Sequence, residues 1–159
     1  MKPTLLACTA LVLLTGAAAA QELVFAPGED DRLNWASYEA FAAANDLAGQ
    51  TLTILGPWTG QDAELVESVV AYFAAATGAD VRYSGSGNFE QDVVVAVNAG
   101  SPPNIAVIAQ PGLAADLAAK GFLSPLGAET EAWVRDNYAA GDSCVEIASF
   151  PGPDGATGL

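Results

Sequence analysis

Six residues in three short turns have the chemistry to hold a neutral, hydroxyl-rich ligand. They are Trp58 and Thr59 in Gly56-Pro57-Trp58-Thr59-Gly60, Ser84, Ser86 and Asn88 in Ser84-Gly85-Ser86-Gly87-Asn88, and Gln110 in Gln110-Pro111-Gly112. An indole plane packs on the apolar C–H face of a sugar ring, while neutral hydroxyls and amides exchange hydrogen bonds with the sugar's rim. The same residues also have plainer uses. Trp58 beside Pro57 can plug the end of a core, and Ser84, Ser86 and Asn88 are common turn and helix-cap types.

Other chemistries lack their parts. The turn after TLTIL has neither GxGxxG nor GxxxxGK spacing and no Lys for a phosphate. A phosphoacceptor domain needs acids where this chain has Pro57-Trp58 and Gln110. A GxSxG nucleophile turn needs a His downstream, and the chain contains no His. That absence also removes the commonest general base and the commonest metal ligand. With 19 acids, a glycosidase-like carboxylate pair has candidates. None of the three turns, however, holds an acid before Asp62, Glu90 or Asp116. Those three fall on helices, where solvation or the helix dipole accounts for them. No catalytic residue, metal site or cofactor is assigned, and the chain reads as a binder rather than an enzyme.

The turns need elements that set them on one edge. Thr51–Leu55 is β-branched and ends at Gly56-Pro57, as a strand does. Asp62–Thr77 has helical spacing, with Leu65, Val69, Phe73 and Ala76 as its apolar stripe and Val66 and Val70 beside it, and Gly78 is placed as its left-handed cap. Asp80–Tyr83 is a second strand. Asn88–Asn98 is a helix with Phe89, Val93, Val94 and Val97 inward. Ile105–Ala109 carries no polar side chain, as expected of a strand buried on both faces of a parallel sheet. A third helix follows Pro111-Gly112 and holds Leu113, Leu117 and Ala118, a short extended piece spans Phe122–Leu126, and Glu129–Tyr138 is a helix with Trp133 and Val134 on one side. Strands alternating with helices give an α/β fold with a parallel sheet of right-handed βαβ units. Ligands of such sheets bind beyond the carboxyl ends of the strands, where the three turns lie.

The start of the chain reads as an export signal. Lys2 precedes the apolar run Leu5–Leu14, and Ala18 and Ala20 are the small residues expected before cleavage at Gln21. Residues 21–50 then form an extension with a helix capped by Asn34, and residues 51–159 form the α/β unit. Loss of residues 1–20 takes Lys2 and none of the 19 acids, which moves the formal charge from −14 to −15. Nucleic acid is excluded as a partner, because almost nothing neutralises phosphates. Cys144 alone of the two Cys survives cleavage, so no internal disulfide is available.

In order and spacing these pieces resemble the extracellular solute-binding family 1, the periplasmic receptors of sugar ABC importers. The resemblance rests on TLTILGPW, the helix ending Tyr72-Phe73 with Ala76-Thr77-Gly78, Asp80-Val81-Arg82-Tyr83, and Phe89-Glu90-Gln91 through Gly100. It continues through Ser101-Pro102-Pro103-Asn104-Ile105-Ala106-Val107 and Leu113 to Leu123. The lead-in, with Asn34-Trp35 and Ser37-Tyr38-Glu39-Ala40-Phe41, is similar to the receptors for alpha-glucosides within that family. The resemblance implies a type II periplasmic-binding fold, with sugar held between two lobes and passed by a monomer to ABC permease subunits in the membrane. It also implies that residues 51–159 are an incomplete first lobe, the chain being a truncated or frameshifted product. A secreted α/β hydrolase and a non-functional product are the alternatives.

Overall fold

The computed structural model describes residues 23–158. The expected signal segment, with Ala18 and Ala20, lies outside the described residues. The elements in chain order are α1 (Trp35–Ala44), β1 (Thr51–Gly56), α2 (Gln61–Thr77), β2 (Asp80–Gly85) and α3 (Phe89–Asn98). After them come β3 (Ile105–Ala106), α4 (Pro111–Ala119), α5 (Ala128–Asn137), α6 (Gly141–Ala148), β4 (Phe150–Pro151) and β5 (Thr157–Gly158).

Three strands form a parallel sheet in the order β2-β1-β3. The fold is therefore α/β. The β1–β2 register runs from Thr51 opposite Asp80 to Gly56 opposite Gly85. Two crossovers build it. β1–α2–β2 steps to one side of β1, and β2–α3–β3 jumps back across β1 to the other. With right-handed crossovers, steps in opposite directions put α2 and α3 on opposite faces. The direction of winding thus reverses at β1, between β2 and β3.

Local chemistry explains the boundaries. The Asn34 side chain accepts the Ser37 N–H at 3.0 Å and so caps α1. Gly78 closes α2 at φ 73°, its N–H donating to the Ala74 carbonyl. Buried Thr77 is satisfied, its hydroxyl donating to the Phe73 carbonyl at 2.8 Å and accepting the Ala79 N–H at 3.3 Å. Ahead of β3, where Pro102 and Pro103 have no N–H to give, Asn104 pairs with β1. Its Oδ1 accepts both the Thr53 N–H and the Thr53 hydroxyl at 2.9 Å, and its own N–H donates to Thr53 Oγ1 at 3.0 Å. Asn104 thus lengthens the β1–β3 pairing by one side chain.

The core lies under α3. Phe89, Val93, Val97 and Leu117 are buried together, with Leu55, Val94, Ala106, Ile108 and Leu113 packed around them. Several expectations change at the margins. Leu65 and Val69 are 66% and 70% exposed. The buried residues of α2 are Ala71 and Thr77, and half-buried Val66 and Val70 lie about 100° around from Leu65 and Val69, while Phe73 and Ala76 of the expected stripe are half-buried. Ile105–Ala109 is not a fully buried strand. Ile105 and Ala106 pair with β1 and the Val107 N–H donates to the Leu55 carbonyl at 2.9 Å, yet Ile105 is 45% exposed, because among the described residues β3 has a strand neighbour on one side only. Trp133 is exposed and packs edge-on against Tyr138. Helix α6 and the antiparallel β4–β5 pair carry no expectation from the sequence.

The segment from Leu23 to α1 is tied to α2 rather than free. The Tyr72 hydroxyl accepts the Phe25 N–H at 2.8 Å and donates to the Phe25 carbonyl at 3.1 Å. Trp35 and Tyr38 set their rings 6.1 and 6.3 Å from Tyr72, and Phe41 lies 5.9 Å from Phe73. Tyr72→Phe keeps the ring contacts and removes both hydrogen bonds, each worth about 1 kcal/mol. Hydrogen exchange is expected to show the Phe25 amide losing protection by roughly tenfold, with β1 amides unchanged. Equal protection in both proteins would mean that these two bonds do not hold the segment.

Candidate functional site

The carboxyl ends of the strands are shaped by two facing glycines. Gly56 ends β1 and Gly85 ends β2, opposite one another in register. A Cβ on Gly56 would stand 2.7 Å from the Tyr83 hydroxyl oxygen, and one on Gly85 would overlap the Trp58 carbonyl oxygen. The room they leave is filled by a reciprocal clamp. The Trp58 N–H donates to Tyr83 Oη at 3.1 Å, and the Tyr83 hydroxyl donates to the Trp58 carbonyl at 3.0 Å. The Ser86 N–H also donates to the Gly56 carbonyl at 2.9 Å. The turn after β1 is thereby folded over the end of β2, and the Trp58 side chain is left 40% exposed. It is no part of the buried cluster around Phe89.

The other expected residues divide into spent and unspent groups. Ser86 is spent: its hydroxyl donates to the Asp92 carboxylate and accepts the Asn88 N–H at 3.0 Å. This bond closes the turn into α3. Asn88 stands at the N-cap position, yet its side chain makes no capping bond. Thr59 and Ser84 are exposed, Ser84 as the β2 residue opposite Leu55. Gln110 stands at the N-cap of α4 without capping it. Its amide Nε2–H donates instead to the Glu90 carboxylate at 3.2 Å.

Two residues of this edge were not singled out by sequence reasoning. Tyr83 was read only as a strand residue, and Glu90 as helix surface. The signal for Tyr83 was an aromatic hydroxyl at a strand end facing a Gly-Pro turn. For Glu90 it was an acid directly after the most buried aromatic side chain.

The edge carries groups suited to holding a ligand. It presents an indole face, hydroxyls, two amides and a carboxylate. Among the described residues, no group of three or more His, Cys, Asp or Glu is arranged to hold a metal. The groups whose protonation the fold shifts include Asp30, lowered chiefly by its side-chain hydrogen bond with Arg32, and Arg135, raised by those with Glu131 and Asp142. Both are ion pairs away from the three turns. Two concavities also lie elsewhere. One is a groove of about 590 Å³ beside β4 and β5, lined in part by Leu123, Pro125, Phe150 and Pro153. The other sits beside Arg135, Tyr138 and Asp142. Among the described residues no helix is long and apolar enough to cross a membrane.

Comparison with known proteins converges on the same stretch. Residues 56–143 match a family model described as bacterial extracellular solute-binding protein, and that span contains all six expected ligand residues. The chain is 56% identical over 161 residues to the alpha-glucosides-binding periplasmic protein AglE of Rhizobium meliloti (strain 1021), a match covering 98% of this chain and 35% of AglE. It is 42% identical over 76 residues to the osmoprotective compounds-binding protein GgtB of Synechocystis sp. (strain ATCC 27184 / PCC 6803 / Kazusa), covering 48% of this chain and 18% of GgtB. The chain thus spans well under two thirds of the length of either relative.

Proposed function

We propose, because the chain belongs to the bacterial extracellular solute-binding protein family, that it supplies one side of a sugar site in an ABC-transport receptor. The ligand is a neutral sugar of the alpha-glucoside class, by likeness to AglE. The receptor carries it through the periplasm to permease subunits and does not turn it over. In this reading Trp58 is the stacking platform, and Thr59, Ser84, Asn88 and Gln110 supply rim hydrogen bonds, while Ser86 holds the turn in shape.

The observation that carries the proposal is topological. The strand order β2-β1-β3 places a switch point at the carboxyl ends of β1 and β3. Open α/β sheets bind ligands in the crevice at that point. The turn after β1 presents a half-exposed Trp on the β2 side of that point, and the segment after β3 presents Gln110 on the other. One lobe gives a ligand contacts from one side only, without the enclosure that closure of two lobes provides.

The test is a titration of the chain with maltose, trehalose and sucrose, read by NMR. Binding no tighter than about millimolar is expected, with shifts at the Trp58 indole N–H and the Gln110 side-chain amide. Trp58→Ala is expected to weaken it at least tenfold, corresponding to about 1.4 kcal/mol. Shifts confined to the groove beside β4 and β5, or unchanged binding by Trp58→Ala, would overturn the proposal. Hydrolysis of nitrophenyl glycosides by the same sample would favour an enzyme instead.

A further inference from the structure

We propose that Glu90 is a positioning residue of the sugar site, orienting the Gln110 amide and biasing the site toward neutral ligands. This rests on the sugar reading above. Glu90 follows β2 in sequence, yet its carboxylate bonds to a residue that follows β3. The Glu90–Gln110 contact therefore ties the start of α3, which follows β2, to the start of α4, which follows β3. Its place is fixed by the neighbouring side chain. Phe89 is 1% exposed, in a cluster with Leu55, Ala106, Ile108 and Leu113 from β1, β3, the segment after β3 and α4. The first turn of α3 is therefore anchored where the crevice opens.

The chemistry follows from the donors and acceptors. A glutamine amide offers N–H at one end and C=O at the other, and unaided it takes either orientation. An ionised carboxylate only accepts, so Glu90 selects the NH₂ end of Gln110. The Gln110 carbonyl and one N–H remain for a ligand, as does the second Glu90 oxygen, which accepts from a sugar hydroxyl. Asp92 shares the first turn of α3, and Asp62 and Glu64 lie in the first turn of α2. Arg82, the basic residue of β2, is engaged with Asp80 at the opposite end of that strand. Among the described residues the other basic side chains, Arg32, Lys120 and Arg135, are likewise held in ion pairs, so an anionic sugar meets carboxylates without a free cation among them, and a neutral one meets acceptors for its hydroxyls.

The experiment compares the parent chain with Glu90→Ala and Glu90→Gln, titrated with maltose and with glucuronic acid by NMR. In the ligand-free state, both Gln110 side-chain N–H resonances are expected to move in Glu90→Ala, which tests the contact whether or not sugar binds. Maltose affinity is expected to fall about five- to tenfold in Glu90→Ala, the cost of one charge-assisted hydrogen bond. Glu90→Gln keeps an acceptor, so it should recover part of that affinity while losing discrimination against glucuronic acid. An unmoved Gln110 amide, or a neutral-to-anionic preference equal in all three proteins, would overturn the proposal. Maltose shifts absent from this edge in the parent chain would sink the sugar reading, with the Gln110 result standing apart from it.

Discussion

Phe89→Ala is expected to cost the chain about 3–5 kcal/mol, the usual range for emptying a large buried aromatic site. Against a total stability of about 5–15 kcal/mol for a domain, that loss removes from about a fifth to all of the margin and lowers the urea midpoint accordingly. Phe89 is 1% exposed, and the buried set it belongs to is small: Val93, Val97 and Leu117, with part-covered neighbours from β1, β3 and α4. No second large cluster is available among the described residues to absorb the loss. Leu65→Ala provides the contrast. Leu65 is as apolar but 66% exposed, and surface changes of this kind stay within about 0.5 kcal/mol. Urea unfolding followed by circular dichroism distinguishes the two. Equal and small shifts in midpoint would mean that the sheet and α3 do not share a cooperative core.

That pair of residues shows what the sequence makes legible and what it leaves out. The alternation of strand and helix, the α3 core residues, the Asn34 cap and the Gly78 stop were all readable, because each is written in local spacing or in a residue with a special backbone role. The α2 stripe held at Phe73 and Ala76 but not at Leu65 and Val69, because those two and their neighbours Val66 and Val70 form two apolar rows about 100° apart. Spacing ranks them equally. Which row is covered depends on the sheet, and the covered row ends in Thr77, a polar residue that apolar counting passes over. Ile105–Ala109 failed for a related reason. Five apolar residues state a preference for burial, but burial needs a neighbour, and among the described residues β3 pairs with β1 alone.

The candidate site divides in the same way. The three turns were placed correctly on the carboxyl edge, since parallel βαβ geometry dictates it. Contacts between residues far apart in sequence could not be read. The Tyr83–Trp58 clamp spans 25 positions, the Glu90–Gln110 contact 20, and the Asn104–Thr53 bonds 51. Each depends on register. Ser86 illustrates the converse, a hydroxyl of the right type that short-range bonds to Asp92 and Asn88 have already used.

The register pair Gly56–Gly85 yields the second large expectation. Gly85→Ala is expected to destabilise the chain by about 2–4 kcal/mol, in the upper range for overpacking. The added methyl falls on the Trp58 carbonyl oxygen, with Thr59 Cγ2 3.4 Å away. A backbone oxygen cannot swing aside as a side chain does, so the turn after β1 must lift or β2 must shift. Either movement breaks the two Tyr83–Trp58 hydrogen bonds. Gly56→Ala should cost less, because its methyl meets the Tyr83 ring and hydroxyl rather than backbone, and that side chain can yield at the expense of its two bonds to Trp58. Gly87→Ala is the control, with nothing within 4 Å of the new methyl and an expected change within about 0.5 kcal/mol. Unfolding midpoints should therefore rank Gly87→Ala, Gly56→Ala and Gly85→Ala in order of increasing loss. The Trp58 indole N–H resonance should move furthest in Gly85→Ala, and maltose binding should fall with it at least as far as in Trp58→Ala. If Gly85→Ala unfolds like Gly87→Ala and leaves that resonance in place, the turn does not lie over the end of β2. The indole would then have no fixed position from which to meet a sugar.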